Sequence, residues 1–135
     1  MDDRQISMGL LILRLGAGGM LIYGRAWERV AMIGDTSIAF PDPLGISPEL
    51  SWAVTIFAEF FCSIFVMLGI VTRLTAVAPF LAMLLSALVL PSGTAWSLRE
   101  VSFLYALPFF VLTFTGAGDY SFDARIVSHR PGYEV

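Results

Sequence analysis

Residues 50–90 read LSWAVTIFAEFFCSIFVMLGIVTRLTAVAPFLAMLLSALVL. From Leu50 to Val71 the only charged side chain is Glu59, and from Leu74 to Leu90 there is none. Each run is close to the roughly 20 apolar residues that a helix needs to cross the hydrocarbon of a bilayer. A water-soluble helix would show a polar face repeating every 3.6 residues. Neither run has one. The turn between them is only Val71-Thr72-Arg73, so the two helices must form a tight antiparallel hairpin.

Outward from this hairpin the pattern repeats. A first span covers 6–27, with Arg14 as its only charge before Arg25. A fourth covers 99–117 and is uncharged from Val101 onward. The connection before the hairpin, Glu28 to Glu49, contains Phe40-Pro41-Asp42-Pro43-Leu44-Gly45, a rigid turn that no helix accommodates. Ser47 then stands as N-cap and Pro48 at the first helical position of span two. The connection after the hairpin, Pro91-Ser92-Gly93-Thr94-Ala95-Trp96-Ser97, is rich in turn formers. The expected fold is all-α: one domain over 1–135, an integral membrane four-helix bundle with spans at 6–27, 50–71, 74–90 and 99–117. The N-terminal Met-Asp-Asp-Arg lacks the basic start of a secretory signal, so the first run reads as a retained helix.

Composition agrees. Hydrophobic residues make up 57% and charged residues 14%, against about 25% charged in a soluble domain. All 8 basic residues are Arg, spread without a basic tract, and the net charge is −3. Nucleic acid is therefore not an expected partner. The single cysteine, Cys62, excludes an internal disulfide, a Cys-x-x-Cys redox pair and a cysteine zinc site. His129 is the only histidine, and no metal site is expected. With four spans, both termini and the 71–73 turn share a side. That side holds Arg4, Arg14, Arg73, Arg125 and Arg130, and the other holds Arg25, Arg29 and Arg99. The excess places both termini in the cytoplasm. Trp27, Trp52 and Trp96 fall on the other side, at the depth where tryptophan anchors a span.

Two charges lie inside spans and need a reason, because a charge at mid-bilayer costs roughly 2.5–3.5 kcal/mol. Arg14 lies about 12 Å along span one and Glu59 about 17 Å from the inner end of span two, at about 1.5 Å per residue. The expectation is an Arg14–Glu59 ion pair or short polar network inside the bundle. The alternatives are a purely structural pair, or an Arg14 that snorkels to the inner headgroups. Cys62 and Ser63 share a helical face with Glu59, and either line a polar stripe there or serve as small packing residues. Gly16-Ala17-Gly18-Gly19 allow close helix approach. Pro79 and Pro108 each remove a backbone hydrogen bond and would kink spans three and four. On the outer side Tyr23, Arg25, Glu28, Arg99 and Glu100 gather with Trp27 and Trp96. They form either the mouth of a site or ordinary interfacial charge.

Taken in order, Leu11-Ile12-Leu13-Arg14-Leu15-Gly16, Phe40-Pro41-Asp42-Pro43-Leu44-Gly45-Ile46-Ser47, Phe57-Ala58-Glu59-Phe60-Phe61-Cys62-Ser63, Leu68-Gly69-Ile70-Val71-Thr72-Arg73-Leu74 and the closing Gly116-Ala117-Gly118-Asp119-Tyr120-Ser121-Phe122-Asp123 resemble the DoxX family of small four-helix bacterial membrane proteins. The resemblance covers nearly the whole chain. It implies the bacterial cytoplasmic (inner) membrane as location and a link to quinone-coupled electron transfer or redox-stress complexes. It assigns the span-two acid to Glu59, the turn arginine to Arg73 and the span-four acid to Glu100, with Asp119 and Tyr120 in the structural closing motif. Two histidines frequent in relatives are replaced here, by Tyr23 before Gly24 and by the stretch Val89-Leu90-Pro91, which weakens metal or histidine proton chemistry.

Three functions follow as expectations. One is a quinone-linked redox or accessory subunit of a membrane oxidoreductase complex, with Glu59 or Tyr23 hydrogen-bonding the quinone and Arg14, Glu100 and Cys62 in the polar core. Its electrons would come from a membrane or periplasmic partner protein, because the chain has no haem, nucleotide or cysteine-pair motif. The second is a non-catalytic scaffold. The third is a small-solute or lipid binding or transport protein acting as a homo-oligomer.

Overall fold

The computed structural model describes residues 2–35, 42, 44–90 and 92–128. Phe40, Pro41 and Pro43 of the loop motif, Pro91, and His129 with Arg130 lie outside the described residues. Four helices are long and apolar enough to cross a membrane: α1 (Asp3–Ala31), α2 (Pro48–Leu68), α3 (Thr72–Val89) and α4 (Trp96–Thr115). A short α5 (Phe122–Ser128) follows. No strand occurs among the described residues. The start of α1, the α2–α3 turn and the end of α4 share one side, called here the terminal side. The α1–α2 and α3–α4 connections lie on the opposite side.

The element ends follow from local chemistry. Ser47 is extended and its Oγ accepts the Leu50 N–H at 3.2 Å, with Pro48 at the first helical position. At the other end of α2, Gly69 takes the left-handed conformation (φ 75°). Its N–H donates to the Val66 carbonyl, and the Ile70 N–H reaches the Phe65 carbonyl at 3.0 Å. This is the paired closure that glycine makes possible at a helix C-terminus. The helical path of α3 is interrupted at Ala76. Pro79, three residues on, has no N–H to offer the Thr75 carbonyl. Pro108 sits inside an uninterrupted α4.

Both α1 and α2 contain one π-helical turn, at Ile22–Ala26 and Phe57–Phe61. In each the backbone closes five residues back: the Trp27 N–H donates to the Ile22 carbonyl and the Cys62 N–H to the Phe57 carbonyl. The two turns touch each other. Such turns insert one residue into a helix and concentrate at functional sites.

α3 and α4 share the most extensive contact, and α1 packs against the second half of α2 and against α4. The contact of α1 with α2 passes through Gly18, where a Cβ would overlap Met67 Cγ and meet the Ser63 carbonyl at 3.1 Å. Gly16 and Gly19 have nothing within 4 Å, so of the small residues in span one Gly18 marks the close approach. Leu21, Val66, Ala76, Met83, Ala106, Phe109 and Leu112 form the core along the bundle axis. Helix association in lipid rests on this dispersion contact and on polar bonds between helices, because the tails outside are as apolar as the core. Ile12, Met20, Leu74, Leu88, Leu104, Leu107 and Phe114 are exposed on the outer faces, as lipid contact requires.

Candidate functional site

Glu59 sits in the middle of the π-helical turn of α2 and is wholly buried, at 0% exposure. Its Oε1 accepts a charge-assisted hydrogen bond from Arg29 Nη1 at 2.8 Å. Its Oε2 has no hydrogen-bond partner in the protein. Arg29 is one helical turn beyond Arg25, and Arg25 Nη1 donates to Ser102 Oγ of α4 at 2.9 Å. Three helices thus converge, with α1 giving two guanidinium groups, α2 one carboxylate and α4 one hydroxyl. The Arg29 side chain remains 25% exposed, so the cluster opens toward the side opposite the termini.

Arg14 does not pair with Glu59. It is buried on the terminal side, where its Nη2 donates to the Tyr120 carbonyl at 2.5 Å. Its Nε and Nη1 have no hydrogen-bond partner. The reason is side-chain direction. Helical side chains lean toward the N-terminus of their own helix. On α1 that direction is toward the terminal side, so Arg14 leans away from mid-membrane while Arg29 leans down into it. On antiparallel α2 the same rule tips Glu59 toward the opposite side. Depth alone made Arg14 the expected partner, but direction brings Glu59 to Arg29 instead.

Around Arg14 the chain after α4 folds back over the terminal side. Ser7 Oγ donates to Asp119 Oδ2 at 2.8 Å. Asp123 Oδ1 and Oδ2 accept the N–H groups of Val71 and Thr72 at 2.7 and 3.0 Å. The Asp123 N–H in turn donates to the Gly69 carbonyl. Arg73 lies against Gly116, where a Cβ would come within 3.3 Å of its Nε. Arg73, Asp119 and Tyr120 therefore stand in one belt that laces the closing segment to α1 and to the α2–α3 turn.

The other expected site residues separate. Tyr23 is 86% exposed on the outside of the bundle, whereas Glu59 is wholly buried. The tyrosine against α1 is Tyr105 of α4, whose hydroxyl donates weakly to the Met20 carbonyl at 3.5 Å. Glu100 and Glu28 are exposed. Arg99 donates to the Leu90 carbonyl at 2.7 Å, which closes the α3–α4 connection. Cys62 and Ser63 are buried on α2 just beyond Glu59. The sequence reading missed Arg29 and Ser102 as parts of the site. The apolar run ended at Trp27, which put Arg29 among the span-end charges. The signal available was the spacing of four residues between Arg25 and Arg29, which places both on one face. Among the described residues no group of three or more His, Cys, Asp or Glu is placed to hold a metal ion.

A polytopic membrane bundle with a half-paired carboxylate buried between its helices defines the class: a small integral membrane protein with a polar site inside lipid. The DoxX family model matches residues 9–92, more than half of the chain, and the protein belongs to the DoxX family. No curated protein and no solved structure matches it.

Proposed function

We propose that this protein is the quinone-binding accessory subunit of a bacterial inner-membrane oxidoreductase complex, with the electron carriers in a membrane or periplasmic partner. The observation that carries the reading is Glu59. A carboxylate at 0% exposure has one oxygen on Arg29 and the other without a protein partner. Leaving a buried acceptor unmet costs about 1–3 kcal/mol, and more for a charged group. A hydroxyl-bearing headgroup arriving from the lipid meets that need, and its apolar tail stays among the exposed faces of the helices. Arg25, one turn before Arg29 and held by Ser102 Oγ, adds a second guanidinium group to the same end of α1. The chain binds and orients, and the partner supplies the redox centre.

The test is to purify the protein anaerobically in mild detergent with dithionite, so that the bound form is quinol, whose hydroxyl can donate to Glu59, and to extract what stays bound, identifying it after reoxidation as quinone by ultraviolet spectrum and chromatography. The expected result is near-stoichiometric quinone in the wild type, lost at least about tenfold in Glu59→Gln, since a bond to a charged group contributes about 1.5–3 kcal/mol. A folded wild type that carries no quinone and co-purifies with another membrane protein would instead make it a scaffold.

A further inference from the structure

The charges around Glu59 go further than the presence of a ligand, and bear on its ionisation. α1 brings two guanidinium groups to the site, Arg25 on Ser102 Oγ at 2.9 Å and Arg29 on Glu59 Oε1 at 2.8 Å. α2 brings one carboxylate. Glu28 and Glu100, the acids nearest in sequence to Arg25 and Ser102, are exposed. Among the described residues, the hydrogen-bonded cluster itself thus sets two guanidinium groups against one carboxylate. Ser102 lies about 9 Å along α4 from Trp96, and Glu59 about 17 Å along α2 from Pro48, at about 1.5 Å per residue. These acceptors lie below the headgroup level at which Trp96 sits, and they draw the two guanidinium ends inward from the lipid phosphates. An unbalanced charge at such depth is costly. At the same place one carboxylate oxygen of Glu59 lacks a donor. The site therefore asks for a ligand with one anionic oxygen and one hydroxyl, on a head compact and apolar enough to lie inside the bundle.

Resting on the quinone reading, we propose that the site binds quinol as its monoanion. The ionised oxygen accepts from Arg25 and Arg29, and the remaining hydroxyl donates to Glu59 Oε2. The O–H bond that breaks on binding gives its proton to water on the side where Arg29 is partly exposed. No electron moves in this step.

The experiment is anaerobic calorimetry of the detergent-purified protein with 2-methyl-1,4-naphthohydroquinone near pH 7. It is run in two buffers of different ionisation enthalpy, so that protons released are counted. The oxidised 2-methyl-1,4-naphthoquinone, which has no ionisable group, is the companion probe. The expected result is about one proton released per quinol bound, with the quinol binding at least about tenfold tighter than the quinone, the scale of one charge-assisted contact. Arg25→Gln is expected to bring proton release close to zero while Arg25→Lys keeps it. Quinol binding with no proton released, or equal binding of both forms, overturns the anion assignment and leaves the quinone site standing. Binding of neither probe by the folded wild type overturns both.

Discussion

A side chain on Gly69 would overlap Arg14 Nη1 and crowd Ser121, and the backbone there has a φ of 75°. Two penalties coincide: a left-handed conformation that an L-residue resists, and a guanidinium that is buried and cannot move aside. Gly69→Ala is expected to lower stability by about 2–4 kcal/mol, the sum of backbone strain and overpacking. Thermal unfolding in detergent measures this, and an unchanged transition would mean Arg14 is not packed on the α2–α3 turn. Two residues later Val71 is also left-handed, at φ 46°, a rare state for a β-branched side chain. At this scale the sequence marks which residues need explaining and not whom they meet. Arg14 and Glu59 stand out because charge in lipid is costly, whatever the fold. Their partners depend on the lean of each side chain and on the rotation of each helix, which apolar runs do not reveal. The same ignorance of rotation makes Tyr23 look like a site residue. A tyrosine at a span end suits a lipid-facing interface as well as a cavity.

Among the elements, α3 owes its start to another helix. Asp123, at the head of α5, takes both the Val71 and Thr72 N–H groups. Asp123→Ala should cost about 1–2 kcal/mol, as loss of an N-terminal cap does. Asp123→Asn should cost less, because one acceptor remains. Equal stability of all three proteins in the same melt would show that the cap is idle. The α1–α2 connection has its own fastening. The Ser51 hydroxyl donates to Asp42 Oδ1, joined by the Gly45 and Ile46 N–H groups. These bonds, Ser51 foremost, hold the Asp42 carboxyl below its usual range. Because the folded value is the lower one, this contribution is present above the ordinary carboxylate pKa, about 3.9. It is lost as pH falls through the depressed folded value. In Ser51→Ala the acid loss should move up toward the ordinary range, which an acid titration of the melting temperature reads directly. The caps at Ser47 and Pro48 are legible in sequence because capping chemistry is local. The Asp123 cap is not, since it joins residues 52 apart in the chain.

For the whole molecule, four apolar runs leave little freedom, and the bundle could be read from them. What they do not reveal is the pair of facing π-helical turns, which shift the register of α1 and α2 where Arg25 and Glu59 sit. The side on which the site opens is set by orientation. The Arg count, five near the terminal side against three, leads us to propose that both termini face the cytoplasm and the Glu59 cluster the periplasm. A C-terminal fluorescent fusion should then be bright and a C-terminal alkaline phosphatase fusion inactive; the reverse pattern would turn the molecule over. The belt on the terminal side has a consequence for how the protein is made. Arg14 meets its carbonyl partner at Tyr120, 106 residues later in the chain. At a synthesis rate of about 5–20 residues per second the gap lasts roughly 5–20 s. Throughout that interval the newly made first helix carries a buried-type charge with nothing to shelter it. Until then its guanidinium needs other polar company, at the headgroups or in the insertion machinery, and the arrival of the segment around Tyr120 releases it into place.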